Sequence, residues 1–125
     1  MNVLDTTVAV DHLRGEEGAV ALLRRLVESD EPLLASELVR FELVAGVRDH
    51  EQDRLEEFFG ALAWLPVSEE IARVAGALAR RLRASNSGID DADYLIAATA
   101  LVLDADLLTT NVRHFPMIEG LEPPY

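Results

Sequence analysis

The segment GIDDADYLIAATA, residues 88–100, places three aspartates directly before an apolar run with helical spacing. Asp90 and Asp91 suit the start of a helix, because a carboxylate there accepts unpaired backbone N–H groups and favours the positive end of the helix dipole. Asp93 is different, because the residues that share its helix face are all apolar: Ile96, Ala97, Ala100. A carboxylate on an inward face needs a partner. The segment therefore predicts a core helix with a charged site at its beginning.

The order of elements around this helix predicts the fold class. Short apolar runs typical of strands occur at 2–5, 32–36, 64–67 and 106–110. Helical patterns separate them, at 8–13, 17–28, 37–47, around 55–62, and from Ser68 to a stop at 85–88. Strands that alternate with helices predict an α/β sandwich with a mostly parallel sheet. Pro66 predicts that the third strand is short or lies at an edge.

The composition limits the classes of protein to which the chain can belong. A length of 125 residues predicts one domain, 1–125, with a substantial core. No apolar run approaches the roughly 18 to 20 residues of a membrane span, and no signal peptide is evident, so we expect a cytoplasmic protein without membrane contact. The absence of cysteine excludes disulfides, thiolate catalysis and cysteine zinc sites. Any metal would bind oxygen ligands, with His12, His50 and His114 as scattered alternatives.

The charge balance is strongly acidic, with 11 basic and 23 acidic residues and a formal net charge of −12. Such a balance opposes broad nonspecific binding to nucleic acid. All the basic residues are arginines, and Arg80, Arg81 and Arg83 cluster near the end of one predicted helix. Arginine forks suit phosphates, but arginines at this end of a helix also interact with its dipole on a solvated face.

Asp5 follows the first predicted strand. In open α/β sheets, ligands bind in the crevice at the carboxyl ends of the strands, which favours a functional site. The alternative is an ordinary helix cap, a duty that Thr6 or Thr7 would share.

Glu42 is a second anomaly, because its neighbours along the helix face are all apolar or small: Leu38, Val39, Ala45, Gly46. This pattern predicts that Glu42 faces the core side. The alternative is a buried ion pair with Arg48 or Arg113.

Three inward carboxylates cannot lie together without a positive charge between them. Asp5, Glu42 and Asp93 form an oxygen-only set, which favours Mg²⁺ or Mn²⁺. Such an ion activates water and neutralises a phosphate that is being displaced, which is the chemistry of phosphodiester hydrolysis. Asn111, after the last strand, would reach the same edge of the sheet and could act as a ligand, or it could simply form the turn.

Four motifs in order resemble PIN-domain ribonucleases, in particular the VapC-type toxins of toxin–antitoxin pairs. They are VLDTT at 3–7, ELVAG at 42–46, DYLIAATA at 93–100 and LTTNVRHF at 108–115. The resemblance implies a single PIN-like domain over 1–125, a three-layer sandwich whose central sheet has about four or five short strands with helices on both faces. It also implies a Mg²⁺- or Mn²⁺-dependent endoribonuclease, usually a homodimer, that a small VapB-like antitoxin silences.

The resemblance also assigns site residues. Asp5, Glu42 and Asp93 match the metal-holding acids of the family. Asn111 stands where many relatives have a fourth acid, Thr7 stands where serine is frequent, and Asp90 could assist Asp93. His114 matches a position that looks structural.

Two other functions are compatible with the same residues. A small-molecule phosphohydrolase with Asp5 as nucleophile would usually have a second aspartate two residues on and a lysine, whereas this chain has Thr7 and no lysine. A degenerate PIN domain that binds RNA or serves as a scaffold is favoured only by Asn111.

Overall fold

Four short strands form the sheet of the computed structural model, which describes residues 1–125. They are β1 (Asn2–Leu4), β2 (Leu33–Ser36), β3 (Ala63–Leu65) and β4 (Asp106–Leu108). All neighbours are parallel, and the order across the sheet is β3-β2-β1-β4. The chain thus builds outward from β1 to β3 and then returns to the other side of β1. This reversal between β1 and β4 is the position at which α/β sheets bind ligands.

Six α-helices connect the strands, and the predicted α/β class with a parallel sheet is confirmed. They are α1 (Thr6–Leu13), α2 (Glu17–Glu28), α3 (Glu37–Gly46), α4 (Gln52–Phe59), α5 (Glu69–Leu82) and α6 (Asp91–Leu103). Short 3₁₀ turns lie at Asp49–Glu51 and Val112–His114. The Ser36 hydroxyl caps α3 and the Ser68 hydroxyl caps α5. The helix start predicted at Ser68 is thereby confirmed. None of the helices combines the length and the apolar character that crossing a membrane requires.

The burial of each strand follows from its place in the sheet. β1 and β2 are buried along their whole length, as expected of parallel strands covered on both faces. β3 is partly exposed and lies at the edge, directly before Pro66, which has no N–H to donate to a further strand. The edge position predicted from Pro66 is confirmed.

The apolar side chains form two clusters. The larger one joins residues of β1, β2 and β4 to α1, α2, α3, α4 and α6. The smaller one lies between α5 and α6 and contains Ile71, Ala75 and Leu78 against Tyr94 and Ala98. The helix that follows the three aspartates therefore contacts both clusters and is a core helix, as predicted.

Three element boundaries differ from the sequence prediction at functionally relevant places. β1 ends at Leu4 rather than at residue 5. α1 begins at Thr6 rather than at residue 8, and β4 ends at Leu108 rather than at residue 110. Beyond β4, the Thr109 hydroxyl donates to Asp5 and accepts the N–H of Asn111. Thr109 and Asn111 are held by these side-chain contacts instead of by hydrogen bonds between strands. A prediction from apolar and β-branched residues alone therefore makes β4 too long.

Candidate active site

Asp5 lies at the carboxyl end of β1 and is only 4% exposed. It occupies the N-cap position of α1, but its side chain accepts no N–H from that helix, so the alternative that Asp5 is an ordinary cap is wrong. Its Oδ2 instead accepts hydrogen bonds from Thr109 Oγ1 at 2.6 Å and Thr7 Oγ1 at 3.1 Å. The backbone N–H of Asp5 donates to the carbonyl oxygen of Leu108 at 2.9 Å. Asp5 is therefore fixed to the end of β4 by both backbone and side chain.

The two hydroxyl groups are oriented by the backbone that follows β4. Thr7 Oγ1 accepts the N–H of Thr110 at 3.1 Å, and Thr109 Oγ1 accepts the N–H of Asn111 at 3.0 Å. Each oxygen receives a donor, so each hydroxyl proton is free to turn toward Asp5. Both bonds reach Oδ2, and Oδ1 has no hydrogen-bond partner in the protein. The carboxylate is thereby held rigidly with one oxygen available to a ligand.

Glu42 projects from α3 and is half-buried. Thr6 Oγ1 donates to its Oε1 at 2.8 Å, which joins α3 to the start of α1 next to Asp5. Glu42 forms no ion pair with Arg48 or Arg113, so that alternative is wrong. Burial raises the pKa of Glu42, and the negative charges of Asp5 and Asp90 raise it further, while the Thr6 hydrogen bond lowers it.

The environment of Glu42 also differs from the prediction that its helix face is turned to the core. Ala45 and Gly46 on that face are exposed, and Glu42 lines a groove of about 410 Å³ between α1, α3 and α4. Helical spacing correctly placed Glu42 on the same face as Ala45 and Gly46. Because these two residues are small, the face leaves open space, whereas its apolar pattern predicts a packed core.

Asp90 and Asp93 begin α6 as a reciprocal pair. Asp90 Oδ1 accepts the N–H of Asp93 at 2.9 Å, and Asp93 Oδ2 accepts the N–H of Asp90 at 3.3 Å. Asp90 is the predicted N-cap. Asp91 is exposed and pairs with Arg83 at 2.7 Å, so it has no part in the site.

Asp93 has a second partner, because His114 Nδ1 lies 3.0 Å from its Oδ2. The Asp93 side chain is only 13% exposed. Burial and the negative charge of Asp90 raise the pKa of Asp93 to about 6, although hydrogen bonds from the Asp90 backbone and His114 and the charge of His114 act in the opposite direction. The structure places Asp93 inward as predicted, and His114 serves as its contact from the segment after β4.

The acids form an electrostatic set, although they do not form a closed cage. Asp5 and Asp90 both act on the pKa of Glu42, and Asp90 acts on that of Asp93. No three of the aspartate, glutamate and histidine side chains lie close enough together to hold a metal ion. Asn111 is connected to the set through its backbone N–H, and its side chain forms no hydrogen bond.

The donor chemistry fits a hard divalent cation. The available groups are carboxylate oxygens, and Asp5 Oδ1 is without a partner. Mg²⁺ usually keeps several of its waters and binds only one or two carboxylates directly. Carboxylates that are too far apart to surround an ion completely can therefore still bind it. The assignment of Asp5, Glu42 and Asp93 as metal ligands, with Asn111, Thr7 and Asp90 as secondary candidates, stays a prediction.

Three contacts that support the acids were not predicted from the sequence. These are the hydroxyl of Thr109 on Asp5, the hydroxyl of Thr6 on Glu42 and the imidazole of His114 on Asp93. Thr109 and His114 follow β4, far along the chain from Asp5. The placement of their segment at the edge of the sheet is predictable, but the individual pairs depend on the parallel register of β1 with β4.

Comparison with known proteins agrees with this architecture. The family model of the PIN domain matches residues 3–120. Ribonuclease VapC19 of Mycobacterium tuberculosis is 64% identical over 125 residues, which is 100% of both chains. Ribonuclease VapC10 of the same species is 42% identical over 127 residues, covering 100% of this chain and 93% of its own. The crystal structure of VapBC2 from Rickettsia felis bound to a DNA fragment from their promoter superposes with a TM-score of 0.80 at 25% identity, covering 96% of this chain and 94% of that one.

Proposed function

The chain belongs to the PIN domain family, and from this premise we propose that it is an endoribonuclease that acts as the toxin of a toxin–antitoxin pair. Its relatives are named ribonucleases, and the R. felis structure is of a VapBC protein. The observation that carries the proposal is the orientation of Asp5. The side chain of this buried acid does not cap α1. It is held instead by the hydroxyls of Thr7 and Thr109 where the carboxyl ends of β1 and β4 meet, and its second oxygen has no hydrogen-bond partner.

The chemistry follows from what each residue holds. Thr7 and Thr109 fix Asp5, Thr6 fixes Glu42, and the Asp90 N–H with His114 fixes Asp93. Mg²⁺ or Mn²⁺, when bound by these carboxylates, supplies positive charge that stabilises a phosphate under displacement and makes water more acidic. The positioned carboxylates would hold the ion and accept hydrogen bonds from the attacking water, while the charge of the ion would offset that of the substrate phosphate, so the proposed reaction class is hydrolysis of a phosphodiester.

The proposal extends to the partners of the chain. A small VapB-like antitoxin is the inhibitor, RNA is the substrate, and the active form is a homodimer in the cytoplasm. The whole function resides in one domain, 1–125. The R. felis protein is named as a VapBC, which supports an antitoxin partner of the VapB type.

The test is cleavage of a mixed RNA pool by purified protein with Mn²⁺ or Mg²⁺, with EDTA, and with two single variants. Asp93→Asn removes the charge of a proposed ligand and should abolish cleavage. Asp91→Asn, two residues away, removes an exposed charge that pairs only with Arg83 and should leave cleavage intact. Equal activity of the wild type and Asp93→Asn, or activity that persists in EDTA, would refute the proposed metal site.

A second candidate function is a noncatalytic PIN domain that binds RNA or acts as a scaffold. The observation that favours it is the spacing of the acids, none of which form a group of three around one position. Thermal unfolding with Mn²⁺ distinguishes the two functions, because a ligand that binds only the folded state must raise the melting temperature. An unchanged melting temperature together with intact RNA would establish the noncatalytic function.

A further inference from the structure

The groove that Glu42 lines extends beyond the site of Asp5, Glu42 and Asp93, which is called the carboxylate site below. It runs between α1, α3 and α4 and has a volume of about 410 Å³. Its apolar lining is contributed by residues of all three helices and of the segment after α3: Val10, Leu13, Leu43, Val47, Leu55. A surface of this kind accepts flat or apolar groups while its polar residues select the charge of the ligand.

Three arginines line the same groove: Arg14, Arg48 and Arg54. All three are exposed, and none of their guanidinium groups forms an ion pair or a side-chain hydrogen bond. Other arginines of the chain are paired with carboxylates on the surface: Arg40 with Glu37, Arg73 with Glu69, Arg83 with Asp91. The groove arginines therefore keep all their donors available for an anion.

The local charge of the groove opposes that of the whole chain. Two acids line it, Glu42 and Glu51, and Glu51 is engaged because its Oε1 accepts the backbone N–H of Arg48 at 3.0 Å. Three arginines against two glutamates make this a cationic groove in a chain with a net charge of −12. A polyanion that is repelled elsewhere on the surface is attracted here.

Glu42 belongs to both the groove and the carboxylate site, since Thr6, its hydrogen-bond partner, adjoins Asp5. On the basis of the proposed ribonuclease function, we propose that the groove holds the RNA strand on one side of the cleaved bond, with Arg14, Arg48 and Arg54 contacting its phosphates. The guanidinium fork matches phosphate oxygens in bidentate geometry. The apolar lining receives the sugar and base faces, which gives binding with little dependence on sequence.

RNA is favoured over an acidic peptide because of the continuity with Glu42. A strand whose scissile phosphate reaches the carboxylates must continue away from them, and the groove provides a cationic path for the adjoining phosphates. An acidic peptide in the groove would gain the same three arginines but would have no reason to reach the carboxylates.

The experiment compares two triple variants with equal loss of charge. The groove variant carries Arg14→Gln, Arg48→Gln and Arg54→Gln. The matched control carries Arg24→Gln, Arg25→Gln and Arg81→Gln, which are exposed, unpaired arginines outside the groove. Both should melt at the wild-type temperature within a few degrees, because substitutions of exposed residues cost little.

Binding is measured by fluorescence anisotropy with a short mixed-sequence single-stranded RNA in EDTA, where cleavage is absent. We expect the groove variant to bind about ten- to a hundredfold more weakly than the wild type and the control, since each exposed charge contact is modest. The slope of log K against log salt should become shallower by about 2, at about 0.7 for each lost phosphate contact of a single strand. In cleavage assays with Mn²⁺, KM should rise while kcat stays close to the wild-type value.

Several outcomes would overturn the inference. Equal weakening by both triple variants would mean that total charge alone controls binding, and unchanged binding and KM in the groove variant would mean that RNA does not use the groove. Competition by polyglutamate as effective as that by RNA would assign the groove to acidic peptides. If the wild type cleaves no RNA but the groove variant alone loses RNA binding, the proposed nuclease function fails and the groove assignment stands.

Discussion

Replacing Thr109 with valine tests how far the position of Asp5 depends on one hydroxyl group. The Thr109 side chain is fully buried, and its Oγ1 donates to Asp5 Oδ2 at 2.6 Å while accepting the N–H of Asn111 at 3.0 Å. Valine keeps the volume and the β-branched shape, so the change removes the hydroxyl without leaving a cavity. Thr7 alone would then hold Oδ2.

The expected loss of stability follows from the chemistry of this contact. A hydrogen bond to a charged group contributes about 1.5–3 kcal/mol, so Thr109→Val should lower the free energy of unfolding by about 2 kcal/mol. For a domain of this size, that corresponds to a melting temperature lower by roughly 8 °C. Catalytic activity should fall about 10- to 100-fold, as is typical when a group that orients a metal-binding residue is removed.

Thr99→Val is the matched control. Thr99 is equally buried at 1% exposure, but its Oγ1 donates to the Leu95 carbonyl oxygen within α6 at 2.8 Å, a neutral local contact. Its removal should cost about 1 kcal/mol or less and should leave the cleavage rate unchanged. If the two variants melt at the same temperature and cleave RNA equally fast, the Thr109 hydroxyl does not position Asp5 and the reasoning is refuted.

Two further predictions concern stability. Because the pKa of Asp93 is raised from 3.8 to about 6, the folded protein binds its proton more tightly than the unfolded chain does. In EDTA, stability should therefore fall by about 1–3 kcal/mol as the pH rises from about 4 to about 6, and the loss should persist above that range. Asp93→Asn should be more stable than the wild type at pH 8, and an undiminished pH slope in thermal melts of this variant would contradict the assignment. Gly18→Ala should lower the free energy of unfolding by about 1–3 kcal/mol, because the added Cβ would lie 2.9 Å from atoms of Tyr125, whose hydroxyl donates to Asp11. Gly76→Ala, where the added Cβ meets no atom within 4 Å, should instead stabilise α5 by up to about 1 kcal/mol, and equal melting temperatures for the two alanine variants would exclude the Tyr125 contact.

The architecture could be predicted from the sequence because its signals are local. Alternating strand and helix patterns indicated a parallel sheet, Ser68 marked a helix start, and Pro66 placed β3 at an edge. The boundaries near the site were less predictable. Thr109 is β-branched and buried, so in the sequence it resembles a further residue of β4. In the structure β4 ends at Leu108, and the Thr109 hydroxyl donates to Asp5.

The site was predictable in part, for a related reason. Helical spacing showed that Asp93 faces inward, since that depends only on neighbours within α6. The environment of Glu42 depends on whether α1 and α4 cover its face, and they leave a groove instead of closing over it. The partners Thr6 and His114 also come from distant parts of the chain. Spacing along one helix carries no information on either point.

The energetics of the acids bear on whether the site is catalytic or idle. Glu42 and Asp93 both have raised pKa values, chiefly because burial disfavours their charged forms. The hydrogen bonds from the Thr6 hydroxyl to Glu42 and from the Asp90 N–H to Asp93 do not require charge, since these groups could donate to the carbonyl of a glutamine or an asparagine. In the metal-free fold the two charges therefore reduce stability, and the contact of Asp93 with His114 is the one interaction described for them that charge strengthens. The cation proposed to bind these acids would supply a further benefit of this kind. If the site is catalytic, Asp93→Asn should be more stable than the wild type in EDTA and inactive with Mn²⁺. If the domain is noncatalytic, the same variant should gain stability without any loss of function.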